Sequence, residues 1–291
     1  MPLLEVDHVV VQFGGVTAVN EACFAAEAGR VTGLIGPNGA GKTTCFNVIS
    51  GLQKPTRGAV RFDGRKVTSV PVHRRSKRGM GRTFQRLEAF GSLSVRDNVR
   101  VAADIHRGVL GAVRGLGSSS RGGVDALLER VGIAAYADER ADSIPTGTAR
   151  LLELARCLAG DPKLLLLDEP SSGLDETETD DFGDLLRDLA AEGRAILMVE
   201  HDMDLVMGVC DEIHVLDFGS VIASGTPQEV RGDAAVQKAY LGYAPEDEAE
   251  PAHVGSAEHP AESTRTDLPV LSDDTTVLPP VGAGPLPGGA R

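Results

Sequence analysis

The chain has 291 residues, enough for one large domain or two modest ones, and its 42% apolar and 24% charged residues match a folded protein. A net charge of −13 argues against a nucleic-acid-binding surface, and no stretch approaches the roughly 18 apolar residues of a membrane span. Cys23, Cys45, Cys157 and Cys210 are widely spaced among apolar or small residues without a C-x-x-C pair, so buried free thiols in a reducing compartment are expected. The seven histidines form no ligand pair on one helix face. The opening residues have no basic run, so work at a membrane would require another component to hold the chain there.

In chain order, residues 3–35 read as β structure. A strand over residues 4–11 breaks at Phe13-Gly14-Gly15, a second covers 16–26, and residues 30–35 form a buried third. Gly36-Pro37-Asn38-Gly39-Ala40-Gly41-Lys42-Thr43-Thr44 then fits the phosphate-binding pattern G-x-x-x-x-G-K-[ST]. The glycines let backbone N–H groups face phosphate, Lys42 supplies a cation to the outer phosphates, and the Thr43 hydroxyl can join a Mg²⁺ shell. A helix over residues 45–52, ending near Gly51, adds its positive N-terminal end. Phe13, shortly before this loop, could stack on an adenine or sit in the core.

Residues 58–64 look like an edge strand ended by Asp63-Gly64. The basic run Arg65, Lys66, Arg74, Arg75, Lys77, Arg78, Arg82 and Arg86 reads first as a solvated helix face, with a surface for lipid headgroups or an acidic partner as the alternative. Residues 80–85 resemble a short strand ending in a polar residue. From Ser94, a plausible N-cap, Val95, Asn98, Val99, Ala102 and Ile105 share one helix face. Residues 108–123, rich in Gly and Ser, suggest a flexible surface connection, followed by helices over 124–131 and 151–158.

Four consecutive leucines in Lys163-Leu164-Leu165-Leu166-Leu167-Asp168-Glu169 suit a central strand of a parallel sheet buried on both faces. Its carboxyl end carries an acidic pair where such sheets place chemistry, with Asp168 suited to Mg²⁺ and Glu169 to polarising a water at the γ-phosphate. A helix over 178–192 and a buried strand over 195–199 deliver Glu200-His201-Asp202 to the same sheet edge. A helix through Val209, strands at 213–217 and 220–224, and a last helix over 227–240 complete the pattern. Beyond Tyr243, nine acids against two arginines and eight of the sixteen prolines predict a disordered acidic tail.

These motifs, in this order over residues 3–243, resemble the ATP-binding-cassette (ABC) ATPases. Phe13 matches the adenine-stacking aromatic, Gly36 to Thr43 the Walker A loop, and Gln85 the Q-loop. Asp168 and Glu169 match the Walker B aspartate and catalytic glutamate, Ser172-Gly173-Leu174-Asp175 the D-loop, and His201 the switch histidine. Within that superfamily, Gly81-Arg82-Thr83-Phe84-Gln85, Val199-Glu200-His201-Asp202-Met203 and Ala239-Tyr240-Leu241-Gly242 resemble importer ATPases of the branched-chain amino-acid type. The likeness departs at the signature: in place of Leu-Ser-Gly-Gly-Gln stands Ile144-Pro145-Thr146-Gly147-Thr148. Pro145 removes the serine hydroxyl and a backbone N–H, while Gly147 and the following helix N-terminus keep an anion site possible.

The fold so implied is an α/β P-loop ABC cassette with a mostly parallel RecA-like core sheet, an antiparallel β subdomain and a helical subdomain. The cassette would span 3–243, with core segments 3–87 and 159–243, a helical insertion at 88–158, and a tail from 244 to 291. The activity implied is Mg²⁺-dependent ATP hydrolysis powering a membrane importer of small polar solutes such as branched-chain amino acids. Phe13, Gly36 to Thr44, Gly147 and Asp175 would contact ATP; Thr43, Gln85 and Asp168 would hold Mg²⁺; Glu169, His201 and Gln85 would serve hydrolysis. The implied partners are transmembrane permease subunits and a second ATPase subunit, with the chain peripheral on the cytoplasmic face of the plasma membrane and no nucleic acid bound. The alternatives are a catalytically weak member of a heterodimeric cassette pair, motivated by the altered signature, and a soluble non-transport ABC ATPase.

Overall fold

Two strands open the chain, β1 (Leu4–Phe13) and β2 (Val16–Ala26), paired antiparallel across the Gly14-Gly15 turn. The computed structural model describes residues 1–85, 87–113 and 119–241. Arg86 and the expected acidic tail lie outside the described residues.

β3 (Val31–Ile35) is buried throughout and leads into α1 (Lys42–Ser50), which ends at Gly51 in the left-handed conformation (φ 90°). β4 (Arg57–Phe62) and the two-residue β5 (Arg65–Lys66) follow, then α2 (Val72–Ser76) and β6 (Met80–Arg82). Three helices come next: α3 (Val95–Val113), α4 (Ser119–Arg130) and α5 (Thr146–Leu158). β7 (Leu164–Asp168), α6 (Glu176–Ala191), β8 (Ala195–Val199) and α7 (Met203–Val209) alternate as expected of a parallel sheet. β9 (Glu212–Asp217), β10 (Ser220–Gly225), α8 (Pro227–Gly232) and α9 (Ala234–Leu241) complete the order.

The strands form two sheets. One is antiparallel in the order β2-β1-β4-β5; the other has the order β10-β9-β3-β8-β7-β6, parallel except for β10. The period-2 geometry of β7 explains its leucine run. Leu164 and Leu166 enter one apolar core with Phe46, Ile49, Val60 and Phe62, so α1 lies between the two sheets. Leu165 and Leu167 enter a second core with side chains of α3 to α8.

Several local expectations are corrected. β4 is flanked by β1 and β5, so the short β5 is the edge. The Gly/Ser-rich stretch is helical on both sides of residues 114–118, which lie outside the described residues. Ser94 does cap α3, its Oγ accepting from Asp97 N–H at 3.0 Å, and Val95, Asn98 and Val99 are buried, but Ile105 is 74% exposed. The last helix is two, because the Asp233 carboxylate accepts from the N–H groups of Ala235 and Val236 and caps a new start. Cys45 and Cys210 are buried and Cys157 half-buried, but Cys23 is exposed on β2.

The basic run is not uniformly solvated either. Arg75, 1% exposed, donates to the carbonyls of Val48 (2.8 Å), Ile49 (2.5 Å), Val70 (2.8 Å) and Thr68 (3.0 Å). Two of these are end-of-helix carbonyls of α1, where the Gly51 N–H reaches only Val48 O (3.2 Å) and Asn47 O, and a cation there also complements the helix dipole. Burial lowers its pKa to about 10, leaving it charged at neutral pH. The fork therefore fastens the C-terminus of α1 to the segment before α2. Arg75→Ala is expected to take this donor from the Ile49, Thr68 and Val70 carbonyls, Val48 O keeping the Gly51 N–H at 3.2 Å, and to cost about 2–3 kcal/mol, a Tm fall of roughly 5–10 °C by thermal denaturation.

Candidate functional site

Backbone packing explains the glycines of the phosphate-loop sequence. A Cβ on Gly36 (φ 147°) would lie 2.0 Å from the Leu216 carbonyl oxygen, and one on Gly41 (φ 102°) 2.5 Å from that of Ala18. Both positions exclude side chains, and the loop is pressed between β9 and β2. It turns directly into α1, whose first-turn N–H groups have no intrahelical acceptor and no side-chain cap. An anion-binding helix end results. Lys42 is 7% exposed, and its Nζ donates to the carbonyls of Gly36 (2.5 Å) and Pro37 (3.0 Å). Burial lowers the Lys42 pKa, while the charges of Glu169 and Asp168 oppose that shift.

The loop forms one wall of a cleft of about 300 Å³ whose lining includes Asn38 to Thr44, Gln85, Glu169 and His201. The other walls are the ends of β6, β7 and β8. Glu169 adopts a left-handed backbone (φ 49°), and its N–H donates to Val199 O at 2.9 Å. Its carboxylate accepts from Gln85 Nε2 at 3.0 Å and lies 3.0 Å from His201 Nε2. Gln85, Glu169 and His201, far apart in sequence, thus meet through one carboxylate.

Asp168 lies behind this trio, buried, with one oxygen 3.2 Å from the Arg82 guanidinium. Burial raises its pKa, and Arg82 pulls it back. Phe13 is 51% exposed at the end of β1 and is not among the cleft's lining residues. Gly147 and Asp175 also lie outside that lining. Asp175 forms a capping box with Glu178 at the start of α6, and a Cβ on Gly147 would lie 2.7 Å from Gly173 O. The signature-like segment is therefore packed on the D-loop-like segment of the same chain. Pro145 immediately precedes α5, which begins at Thr146, five residues earlier than its periodicity suggested.

Three charged residues shape the site without having been singled out for it. Arg82 donates to Asn47 Oδ1 (2.8 Å) and Ser50 Oγ (2.9 Å) on α1 as well as to Asp168, and its guanidinium lies 4.8 Å from the Phe84 ring centre. Arg150, one turn into α5, donates to the carbonyls of Phe84 and Gln85. Glu200, 4% exposed, accepts the N–H of Ser171 (2.8 Å) and of His201 (3.0 Å), tying the loops after β7 and β8 together. In the sequence, the only available signals were a charge inside a basic run and an acid beside a histidine.

The chain matches the family profile described as ABC transporter over residues 19–172, and that described as branched-chain amino acid ATP-binding cassette transporter over residues 220–245. It is 38% identical over 252 residues to the high-affinity branched-chain amino acid transport ATP-binding protein BraF of Pseudomonas aeruginosa, covering 84% of this chain and 99% of that protein. To the protein LivG of Escherichia coli, described in the same words, it is 37% identical with the same coverage. The lipopolysaccharide export ATP-binding protein LptB of Haemophilus influenzae is 31% identical, over 83% and 98% of the two chains. Among solved structures, a nucleotide-free ATP-binding cassette from an ABC transporter superposes with a TM-score of 0.74 at 27% identity, covering 82% of this chain and 99% of that one.

The Arg82–Asp168 pair has a pH signature. A carboxyl whose folded pKa lies above its unfolded value costs stability as pH rises from the unfolded through the folded pKa, and Arg82 offsets that cost. In Arg82→Met the Asp168 carboxylate would lose its cation. The Tm deficit of the variant is expected to widen as pH rises through this range, reaching the equivalent of roughly 3 kcal/mol near neutrality. A deficit independent of pH would show that Arg82 acts only through packing and its α1 contacts.

Proposed function

Because the chain belongs to the ABC transporter ATP-binding subunits, we propose that it binds and hydrolyses ATP to power a membrane importer of branched-chain amino acids or related small polar solutes. The observation that carries the catalytic part is the convergence of Gln85 and His201 on the Glu169 carboxylate, opposite the phosphate loop. The BraF and LivG relatives, and the branched-chain match at residues 220–245, support the substrate class.

In this reading the N–H groups of Asn38, Gly39 and Gly41 and of the first turn of α1 (Lys42 to Thr44) cradle the phosphates, while Gly36, Pro37 and Ala40 set the shape of the loop, the Ala40 N–H donating to Pro37 O at 3.2 Å. Lys42 exchanges its carbonyl partners for phosphate oxygens, and Phe13 stacks on the base. Thr43, Gln85 and Asp168 offer the oxygen donors that suit Mg²⁺, which when bound neutralises phosphate charge. Glu169 polarises the attacking water, and His201 orients Glu169 and contacts the γ-phosphate. Gly147 and Asp175 lie outside the cleft of their own chain, so a direct role on nucleotide requires a second ATPase subunit facing the first. The first-turn N–H groups of α5 would then meet the partner's phosphate despite Pro145.

Among the described residues no helix is long and apolar enough to cross a membrane, so attachment falls to permease subunits at the cytoplasmic face. Their docking place is a groove of about 800 Å³ lined by Leu52, Val72, Phe84, Phe90 and Ile105 among others. Each of these five is more than a third exposed. Phe84 links this groove to Arg82 and Asp168, and through its neighbour Gln85 to Glu169.

Glu169→Gln is expected to lower phosphate release at least about 100-fold and accumulate an ATP-bound dimer, seen by size exclusion with light scattering. If neither wild type nor variant dimerises or turns over alone, the second subunit is a different cassette, as the altered signature would favour. Ile105→Glu is expected to leave the isolated subunit's ATP affinity unchanged while abolishing co-isolation with a multispanning permease. Retained co-isolation would move the docking place elsewhere.

A further inference from the structure

On the outer sheet, away from the cleft, Asp7, His8 and Cys23 bring a carboxylate oxygen, an imidazole nitrogen and a sulfur within 4.8 Å of one another. The cluster is created by a β-bulge. Val6 pairs with Phe24 and Val9 with Ala22, so Asp7 and His8 on β1 together face the single residue Cys23 on β2. On the other side of β1, Asp7 pairs with Ala59 and Val10 with Arg57, leaving Gly58 against the same bulge. A Cβ on Gly58 would lie 2.2 Å from His8 O, so a glycine is needed there. His8 takes a left-handed backbone (φ 45°), and its N–H donates to Cys23 Sγ at 3.2 Å. Its ring Nδ1 lies 2.8 Å from Asp7 Oδ1. Bulges characteristically re-aim one side chain, and here the result is a mixed O, N, S donor set in place of alternating faces.

We propose that Asp7, His8 and Cys23 form a three-ligand binding site for Zn²⁺, its fourth position filled by water. Thiolate, imidazole and carboxylate are the donors Zn²⁺ takes in proteins, and three protein ligands with one open position is a recurrent arrangement. Mg²⁺, which the ATPase reaction uses, prefers oxygen donors and does not compete for this set. A metal here would staple β2, an edge strand, to β1, and so brace the sheet that carries Phe13 and Ala18.

Co²⁺ is the probe, because a cobalt–thiolate bond gives a near-ultraviolet charge-transfer band that an oxygen or nitrogen site lacks. The full-length protein, held with saturating Mg-ATP to occupy the catalytic cleft, is titrated with Co²⁺ and then with Zn²⁺. The other three cysteines are poor competitors, since burial pushes each thiol up to about 12. The expected result is a band saturating at one Co²⁺ per chain and bleached by Zn²⁺. Cys23→Ser should abolish it, and His8→Ala or Asp7→Ala should weaken binding at least about tenfold. ATP turnover of Cys23→Ser should equal that of wild type, showing that the variant folds. No band in wild type would reduce the cluster to an exposed ion pair, and a band surviving Cys23→Ser would assign the metal to another cysteine; either overturns the proposal.

Discussion

A sheet buried on both faces leaves polar chemistry nowhere to go except the ends of its strands. The five residues of β3, of β7 and of β8 are all buried, and nearly all are apolar. What the strands cannot hold internally emerges at their carboxyl ends, where parallel connectivity collects it on one edge. The ladder then fixes distances. Leu167 pairs with Met198 and Asp168 with Val199, so the residues one step beyond, Glu169 and Glu200, leave the sheet side by side. The 3.0 Å separation of Glu169 and His201 is a consequence of that register as much as of their own attraction.

Charges withdrawn from water hold the loops of this edge in place. A buried charge is tolerable only when hydrogen bonds and opposite charge replace its hydration. Arg82 meets that requirement with Asp168 and two side chains of α1, and Glu200 with two backbone N–H groups from separate loops. Each therefore constrains several segments at once. Arg75 does the same further back, at the C-terminus of α1. The phosphate loop is thus positioned from both ends of its helix: by close backbone packing at Gly36 and Gly41 in front, and by a guanidinium fork behind.

The parts of the fold legible in the sequence were those written in local residue types. Gly36 to Thr44 demanded a loop between strand and helix, and Leu164 to Asp168 demanded a doubly buried strand with acids at its end. Both readings needed only neighbours in the chain. Arg75, Arg82, Glu200 and Arg150 were unreadable because most of their hydrogen-bond partners lie 26 or more residues away, or belong to backbone whose course the sequence does not reveal. Ile105 shows the converse failure: period 3.6 placed it on the apolar face, yet packing covers that face at Val95 and Val99 and leaves Ile105 lining an open groove. Two misses were avoidable in principle. Asp233 followed a glycine within the last helical pattern and is a capping residue type, while Cys23 stood among outward-facing positions of an alternating strand.

The same contacts link the signature-like segment to the Glu169 carboxylate within one chain. Thr146, Gly147 and Thr148 form the first turn of α5, and Arg150, in the next turn, holds the carbonyls of Phe84 and Gln85. The Gln85 side chain is in turn bonded to Glu169. A helix rotates and shifts as a body, because its hydrogen-bonded backbone has few soft degrees of freedom. In the proposed dimer, a displacement at the start of α5 would be delivered to Gln85 through Arg150 and, through Phe84, to the groove proposed for the permease. Pro145, where the resembled signature has serine, would remove one contact at the front of this lever without breaking any link behind it. In that proposed dimer, coupling between the two clefts would depend on Arg150 and Gln85 more than on the residue types at positions 144–146.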